Sequence, residues 1–313
     1  MPRLTIGHIS DLHISSKCCT ESLTRSRQLL EYLLSKGMDH IVVTGDITSS
    51  GDRRELDLAR SLFEEFGILR SDRLSLVIGN HDIFGGVNTA QDILEFPSRL
   101  KRTPYSRKIE EFRGHFREAF EGCLFGSREA AFPFAKIVGH VALVGMNSVA
   151  HYSRITNPLG SNGIVRDDQK SRAKWMLSSS ALEGLLKVVL IHHHFSSTKN
   201  PFQGTLQGVW KSIEHETLKL RDKRGLLKLF LEEDVRLVFH GHVHESACYM
   251  RDGIRFVNTG GSIIGKDPRA LSAHIACFDN DDISVNRIIL IASDSGKNAT
   301  LRLIHRHPLE YAA

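Results

Sequence analysis

The chain has 313 residues, 41% of them hydrophobic and 25% charged, a composition that predicts a folded globular protein and excludes a mostly disordered one. Its formal net charge of +5 suits an anionic substrate, but the lack of a long basic stripe argues against nucleic acid as the partner. The five cysteines are scattered without a C-x-x-C pair, and no apolar run is long enough for a signal peptide or a transmembrane span. These features predict a cytoplasmic protein with reduced thiols.

The first quarter of the chain alternates strand and helix patterns. Strands are predicted at 4–9, 40–43 and 74–78, and helices at 20–36 and 52–66, each ended by a glycine. This β-α-β-α-β order predicts an α/β sheet with parallel neighbouring strands and crossover helices.

Residues 84–134 break this alternation. The segment carries Pro97 and Pro104, is rich in Arg and Phe, and contains one predicted amphipathic helix at 106–120. We interpret it as an insertion within a single domain that spans 1–313. Its aromatic residues either pack a small core of their own or line a lid over the substrate, and the packing alternative is the simpler one.

Further strands are predicted along the rest of the chain. Two lie at 137–145 and 187–191, and a second irregular stretch follows at 196–225, with a basic cluster and Trp210. Five short strands, at 235–239, 254–257, 274–278, 283–290 and 300–304, predict an antiparallel or mixed second sheet.

Five predicted strands are followed directly by polar residues that bind metals in proteins. The five blocks are Asp11-Leu12-His13, Gly45-Asp46, Gly79-Asn80-His81-Asp82, His192-His193-His194 and Gly241-His242-Val243-His244. Each block alone is also compatible with an ordinary polar turn. Because open α/β sheets bind ligands at the carboxyl ends of their strands, the five together predict one site.

The residue types narrow the chemistry. Oxygen and nitrogen donors without cysteine favour Mn²⁺, Fe or Zn²⁺ over a structural thiolate site. Seven donors exceed the needs of one tetrahedral ion but suit two ions that share a bridging carboxylate, a device that recurs in phosphate-ester cleavage. Such a pair generates a hydroxide that attacks phosphorus and leaves one imidazole free to meet the leaving group.

In this order the five blocks resemble the signature of the calcineurin-like metallophosphoesterase superfamily. The resemblance implies a four-layer α/β/β/α sandwich of two mixed β-sheets flanked by helices, and a dinuclear-metal-dependent phosphoester hydrolase. The GNHD form of the third block and the histidine-rich fourth block are most similar to the bacterial cyclic-nucleotide and glycerophosphodiester phosphodiesterase branch. Gln169 and Trp175, which follow Gly163, are also similar to a helix of that branch.

The resemblance also implies roles for individual residues. Seven would hold two divalent ions (Mn²⁺, Fe²⁺/³⁺ or Zn²⁺): Asp11, His13 and His244 the first, Asn80, His193 and His242 the second, with Asp46 as the bridge. His81 would be the catalytic proton donor, and Asp82 would orient its ring. In the fourth block the branch usually has H-x-P. Phe195 stands in place of the proline here, and that register selects His193, with His192 as the alternative if the strand ends one residue earlier.

The metal core alone does not name the substrate. We expect an anionic phosphoester, such as a nucleotide or a lipid head group, with His194, Trp210 and Asn258 as candidate contacts. The alternatives are a phosphomonoesterase or phosphoprotein phosphatase, a nuclease, and a non-catalytic metal-binding scaffold. The missing basic stripe argues against the nuclease, and retention of His81 with all the ligand positions argues against the scaffold. The sequence leaves open a homo-oligomer.

Overall fold

The computed structural model describes residues 2–16, 21–86, 90–124, 131–195, 220–264, 269–292 and 301–308. The first elements are β1 (Leu4–Ile9), α1 (Glu21–Ser35), β2 (His40–Thr44), α2 (Arg53–Glu65), β3 (Leu74–Val77), α3 (Asn80–Phe84), α4 (Ala90–Arg102) and α5 (Tyr105–His115). The next are β4 (Phe134–Val138), β5 (Val141–Gly145), β6 (Gly163–Ile164), α6 (Asp167–Leu177), β7 (Leu186–Leu190), β8 (Leu220–Arg221) and α7 (Lys223–Glu232). The last are β9 (Val235–His240), β10 (Ala247–Arg251), β11 (Ile254–Asn258), β12 (Ala270–Asp279), β13 (Asp282–Ala292) and β14 (Leu301–Pro308).

Two six-stranded mixed sheets dominate the fold. The first has the order β14-β13-β12-β1-β2-β3, in which β1, β2 and β3 are parallel and β12 to β14 are antiparallel additions. The second has the order β10-β11-β9-β7-β5-β4, in which β5, β7, β9 and β11 are parallel and both edge strands are antiparallel. The predicted fold class, two mixed sheets flanked by helices, is confirmed.

The alternation of side chains along β7 shows how the layers are joined. Val188 and Leu190 belong to the larger core cluster, which fills the space between the sheets and extends to α1 and α2. Val189, which points the other way, belongs to a second cluster with Ala173 of α6 and Phe230 of α7. Each sheet therefore buries both faces, which explains why its parallel strands read as continuous apolar runs.

The insertion packs onto this core. Phe112 and Phe116 are fully buried in the larger cluster, and the Phe116 ring lies 5.8 Å from the Phe63 ring of α2. Arg60 of α2 forms a two-pronged ion pair with Glu118, at 2.9 and 2.7 Å. Phe112 and Phe116 thus take the packing role rather than the lid role.

Several predicted elements differ from the observed ones. The predicted strand 137–145 is a hairpin of β4 and β5, because Gly139 turns the chain with a φ of 59°. The last five predicted strands do not form one sheet, since β9 and β11 join the second sheet whereas β12 to β14 extend the first. The insertion has two helices instead of one, and β10 and α7 were not predicted. Across the described ranges, no helix is long and apolar enough to span a membrane.

Candidate metal centre

The polar blocks meet where the two sheets end side by side. Asp11 N donates to Gly45 O at 3.1 Å, and His13 N donates to Asp46 O at 3.0 Å, so the exits of β1 and β2 are hydrogen-bonded together. Across the second sheet, Gly241 N donates to His192 O at 3.0 Å. The third block joins them through His81 N, which donates to Asp46 Oδ1 at 2.8 Å, and the His192 ring bonds to Thr44 O across the two sheets.

Three overlapping groups of side chains converge there, each with ligand atoms within 4.8 Å of one another. The groups are Asp11 with His13 and His244, His13 with Asp46 and His81, and Asp46 with His192 and His242. Asp46 belongs to the second and the third group, so its carboxylate is near both the His13–His81 pair and the His192–His242 pair. Asp11, His13, Asp46, His192 and His242 are all buried, whereas the His244 side chain is 45% exposed and marks the open side.

His192 is the member of the histidine run that joins this group. Its Nδ1 donates to the carbonyl of Thr44 at 2.7 Å. Its Nε2 therefore faces the other way, 3.3 Å from Asp46 Oδ2 and 3.1 Å from both Asn80 Oδ1 and His242 Nδ1. A ring nitrogen that donates to a carbonyl while the other faces a cluster of donors is typical of metal-binding histidines.

His193 was expected in this position, and the structure corrects that expectation. Its Nδ1 bonds to Ser148 Oγ at 2.8 Å and its Nε2 to Ser161 O at 3.1 Å, so both ring nitrogens have protein partners. The physical reason is the register of the chain after β7, where adjacent side chains point to opposite sides. His193 packs its ring 4.3 Å from the His242 ring and supports that residue from behind.

Four residues of the converging groups have left-handed backbone. The φ angle is 55° at Asp11, 41° at His13, 49° at Asp46 and 75° at His242. Such angles are uncommon outside glycine, and Asp, Asn and His accept them best. Strained backbone of this kind concentrates at functional sites, where the surrounding structure holds it in place.

Two glycines are required because the backbone passes too close to the carboxylates for any side chain. A Cβ added at Gly79 would lie 2.2 Å from Asp46 Oδ1. A Cβ added at Gly241 would lie 2.6 Å from Asp11 Oδ2 and 1.9 Å from Ser10 Oγ. Any larger residue at either position would displace a carboxylate, which explains the glycines of the third and fifth blocks.

Asp82 does not reach the His81 ring, contrary to expectation. Its Oδ1 accepts hydrogen bonds from Thr48 N at 2.9 Å and Thr48 Oγ1 at 2.8 Å, and its Oδ2 accepts from Gly79 N at 2.9 Å. The reason is local, since Asp82 lies in the first turn of α3, where a carboxylate turns back to the unpaired N–H groups. Burial and the nearby Asp46 raise the pKa of Asp82 to about 6.

His81 is oriented by backbone instead. Its Nδ1 donates to the carbonyl of Ser49 at 3.1 Å, and its main-chain N–H donates to Asp46 Oδ1 at 2.8 Å. Its Nε2 lies 4.0 Å from Asp46 Oδ2, and its ring is partly exposed. The imidazole thus borders both the buried group and the open side.

The candidate substrate contacts have different positions. The amide of Asn258 donates to the carbonyls of Val243 and Glu245 at 3.0 and 2.8 Å, so it holds the His242–His244 loop rather than facing a substrate. His194 is buried, with its ring 6.2 Å from the His242 ring. Trp210 lies outside the described residues.

The donor set fits divalent metal ions. Among the residues that the structure describes, Asp11 Oδ1 and His13 Nε2 are buried without a hydrogen-bond partner. Buried polar atoms of this kind are costly, and a bound cation supplies the missing partner. Carboxylate, amide and imidazole donors without cysteine suit Mn²⁺, Fe or Zn²⁺.

A family profile of calcineurin-like phosphoesterases matches residues 4–246, which include all five blocks. The chain belongs to the calcineurin-like phosphoesterase family. Membership implies hydrolysis of phosphoesters at a dinuclear metal centre, in agreement with the converging groups around Asp46. No curated protein matches the sequence.

Solved structures show the same fold at low sequence identity. A dimetal phosphatase from Danio rerio superposes with a TM-score of 0.61 at 12% identity, covering 99% of both chains. A purple acid phosphatase, PPD1 from yellow lupin seeds, gives 0.58 at 12% identity over 94% of this chain and 52% of that one. GAP50, the anchor in the inner membrane complex of Plasmodium, gives 0.53 at 12% identity over 99% and 90%.

Electrostatics within this phosphoesterase match its ligand chemistry. Burial disfavours the Asp46 carboxylate, but His192 and His81 hold the pKa of Asp46 well below its usual value. Burial also opposes a charge on His192, yet Asp46 raises the pKa of His192 to about 9, so a bound cation would have to replace the Nε2 proton of this ring. Burial lowers the pKa of His13 and His242 well below the usual value, so both rings are neutral at pH 7, the form that binds metal.

Sequence reasoning missed the residues that orient the phosphoesterase site from behind. Thr44 contributes a carbonyl to His192, Thr48 contributes two donors to Asp82, and Ser148 bonds to His193. Each is a hydroxyl residue at or just beyond the end of a buried strand. That position is the signal by which they could have been found.

Proposed function

We propose that the protein is a dinuclear-metal-dependent phosphodiesterase that hydrolyses small anionic phosphodiesters. The overlap of three donor groups, two of which share the carboxylate of Asp46, is the observation that carries this proposal. We assign the donors as follows: Asp11, His13 and His244 for one ion, Asn80, His192 and His242 for the other, and Asp46 between them. The assignment replaces His193 by His192.

Divalent ions bound there would act as Lewis acids on the phosphoryl oxygens and lower the pKa of water. In the overall hydrolysis one water oxygen adds to phosphorus, one P–O ester bond breaks, and the departing oxygen takes up a proton. His81 is suited to donate that proton. Because the Ser49 carbonyl can only accept, Nδ1 of His81 keeps its proton and Nε2 is the atom that exchanges one.

The preference for diesters is supported by sequence similarity. GNHD, with Asp82 in the fourth position, and the run of three histidines at 192–194 are most similar to the cyclic-nucleotide and glycerophosphodiester phosphodiesterase branch. A phosphomonoesterase remains the alternative, because two of the matched solved structures are named phosphatases. At 12% identity that likeness extends to the fold alone.

Hydrolysis of two matched chromogenic substrates tests the proposal. The protein is treated with EDTA, reloaded separately with Mn²⁺, Fe²⁺ or Zn²⁺, and assayed with bis-p-nitrophenyl phosphate and p-nitrophenyl phosphate. We expect kcat/KM to be higher for the diester. A higher value for the monoester would favour the phosphomonoesterase, and no hydrolysis with any ion would contradict both functions.

Two substitutions separate metal binding from proton transfer. Asp46→Ala is expected to lose bound metal and all activity, whereas Asp252→Ala is expected to change neither. Asp252 is a matched control because it also has left-handed backbone, with φ of 51° against 49° at Asp46, but lies in the β10–β11 turn. His81→Ala is expected to keep its metal and lose about 10²- to 10⁴-fold in kcat. Full activity in either site variant would contradict the assignment.

A further inference from the structure

A cavity of about 320 Å³ lies beside the proposed centre, between α5, α6 and the segment that follows β5. Its volume is at the lower end of the range for small-molecule sites, roughly 300–1,000 Å³. It is open to solvent and lined by residues that neither bind the metal nor belong to the catalytic group. The inference drawn from it rests on the proposed phosphodiesterase function.

The wall of the cavity is continuous with the metal centre. Asn147 and Val149 line the cavity, and Ser148 between them bonds to His193 on the other side, next to His192. Gln169 makes this wall rigid, since its Oε1 accepts from Asn147 N at 2.7 Å and its Nε2 donates to Asn147 O at 2.8 Å. The cavity and the metal centre therefore share the short segment 147–149 as a common wall.

One side of the cavity offers a flat aromatic surface. The rings of Tyr105 and His151 are stacked, with centroids 3.8 Å apart and planes inclined by 28°. Tyr105 is fixed because its hydroxyl donates to Val149 O at 2.5 Å and accepts from Asn147 Nδ2 at 3.0 Å. His151 is exposed, so a face of its ring is accessible to a planar ligand. The covered part of the ring loses contact with water and Arg166 lies nearby, and both effects lower the pKa of His151. Base stacking on such rings contributes to nucleotide recognition.

The cavity lining is also rich in guanidinium groups. Arg113, Arg166 and Arg172 line the cavity, together with the carboxylates of Glu110 and Asp168. Arg166 and Arg172 both pair with Asp168, each at 3.1 Å, so one carboxylate is shared by two cations. Because each guanidinium has five N–H donors, this shared pairing leaves donors for an anionic ligand.

We propose that the cavity binds the leaving group of the diester, and that this group is a nucleoside phosphate: the P–O bond to its ribose oxygen breaks, and that oxygen takes up a proton. The base would stack on His151, and a phosphate other than the one attacked would meet Arg113, Arg166 and Arg172. A choline-type lipid head group fits less well, because its fixed positive charge would face three arginines. The cavity thus selects a nucleotide over a lipid head group.

Binding of AMP, the simplest such leaving group, tests the proposal without turnover. Calorimetric titrations of the full chain use AMP, adenosine, inorganic phosphate and glycerophosphocholine, with bound metal and again with EDTA. We expect AMP to bind most tightly under both conditions. Arg172→Ala is expected to weaken AMP binding at least tenfold in EDTA, and His151→Ala to weaken adenosine and AMP alike. Arg107→Ala, an exposed arginine of α5 outside the cavity, is the matched control.

The outcomes test the nucleotide-binding cavity and the proposed phosphodiesterase activity separately. AMP binding that depends on Arg172 supports the cavity even if no diester is hydrolysed, a result that would overturn only the proposed phosphodiesterase. Diester hydrolysis with AMP binding unchanged in Arg172→Ala would overturn the cavity assignment. Absence of AMP binding with and without metal, or tighter binding of glycerophosphocholine, would overturn it as well.

Discussion

Replacing His192 by alanine tests which histidine of the 192–194 run binds metal. The substitution removes the Nε2 atom that lies 3.3 Å from Asp46 Oδ2 and 3.1 Å from Asn80 Oδ1. His193→Ala is the matched control, since the neighbouring ring is equally buried but bonds to Ser148 and Ser161.

The two variants are expected to lose different properties: His192→Ala mainly metal affinity, and His193→Ala mainly stability. Substitutions that only weaken the support of a ligand reduce metal affinity about 10- to 100-fold, so loss of a ligand itself should cost at least about 100-fold. That factor corresponds to about 2.8 kcal/mol of binding free energy. His193→Ala loses two hydrogen bonds, at about 1 kcal/mol each, from the free energy of unfolding. We expect its metal affinity to fall by only about tenfold, because its nitrogens face away from the group and its ring supports His242 by packing alone.

Calorimetric titration of Mn²⁺ into EDTA-treated protein measures the affinity, and elemental analysis gives the ions bound per chain. Urea unfolding of both variants separates loss of a ligand from loss of the fold. If His193→Ala lost its metal while His192→Ala kept two ions, the assignment based on the Thr44 hydrogen bond would be refuted.

Three further predictions follow from the structure. Gly79→Ala should displace the Asp46 carboxylate and lower kcat at least about 100-fold, whereas Gly114→Ala, with no atom near its added Cβ, should keep wild-type kinetics. Asp82→Ala should lower the free energy of unfolding by about 2–4 kcal/mol in urea titrations, because it leaves buried donors unpaired. An unchanged stability with low activity would instead support a direct role beside His81. Burial lowers the pKa of Lys136 to about 8 from 10.5, so the folded state binds fewer protons between these values. The free energy of unfolding should therefore rise by about 3 kcal/mol from pH 8 to 10.5, and Lys136→Met should abolish that rise.

Most of the site was predictable because its residues follow strands with a clear apolar pattern. β2 and β3 are buried throughout, and parallel pairing with β1 brings Asp11, Asp46 and Asn80 to the same edge. The fourth block was harder, because adjacent histidines differ only in the side to which they point. The contact that decides between them joins His192 to Thr44, 148 positions earlier in the chain, and no local pattern encodes it.

Other differences have similar causes. Alternation of apolar residues predicts a strand but not its partner, which is why β12 was expected in the same sheet as β11 and instead pairs with β1 in the other one. For Asp82, we expected the carboxylate to orient the ring of His81, but the same carboxylate can also cap the start of a helix. The carboxylate caps the start of α3 at Gly79, because the free N–H groups there are closer than the ring.

The division of the metal donors between the two sheets has a consequence for the newly made protein. Asp11, His13, Asp46 and Asn80 are synthesised early, but the remaining donors follow only with residues 192–244. At about 5–20 residues per second, roughly ten to thirty seconds separate the two sets. The strand β1, which precedes Asp11 and His13, lies between β2 and β12, so it lacks one of its two neighbours until residue 279 has been added. A complete set of the proposed donors for two ions therefore exists only after both sheets have been translated.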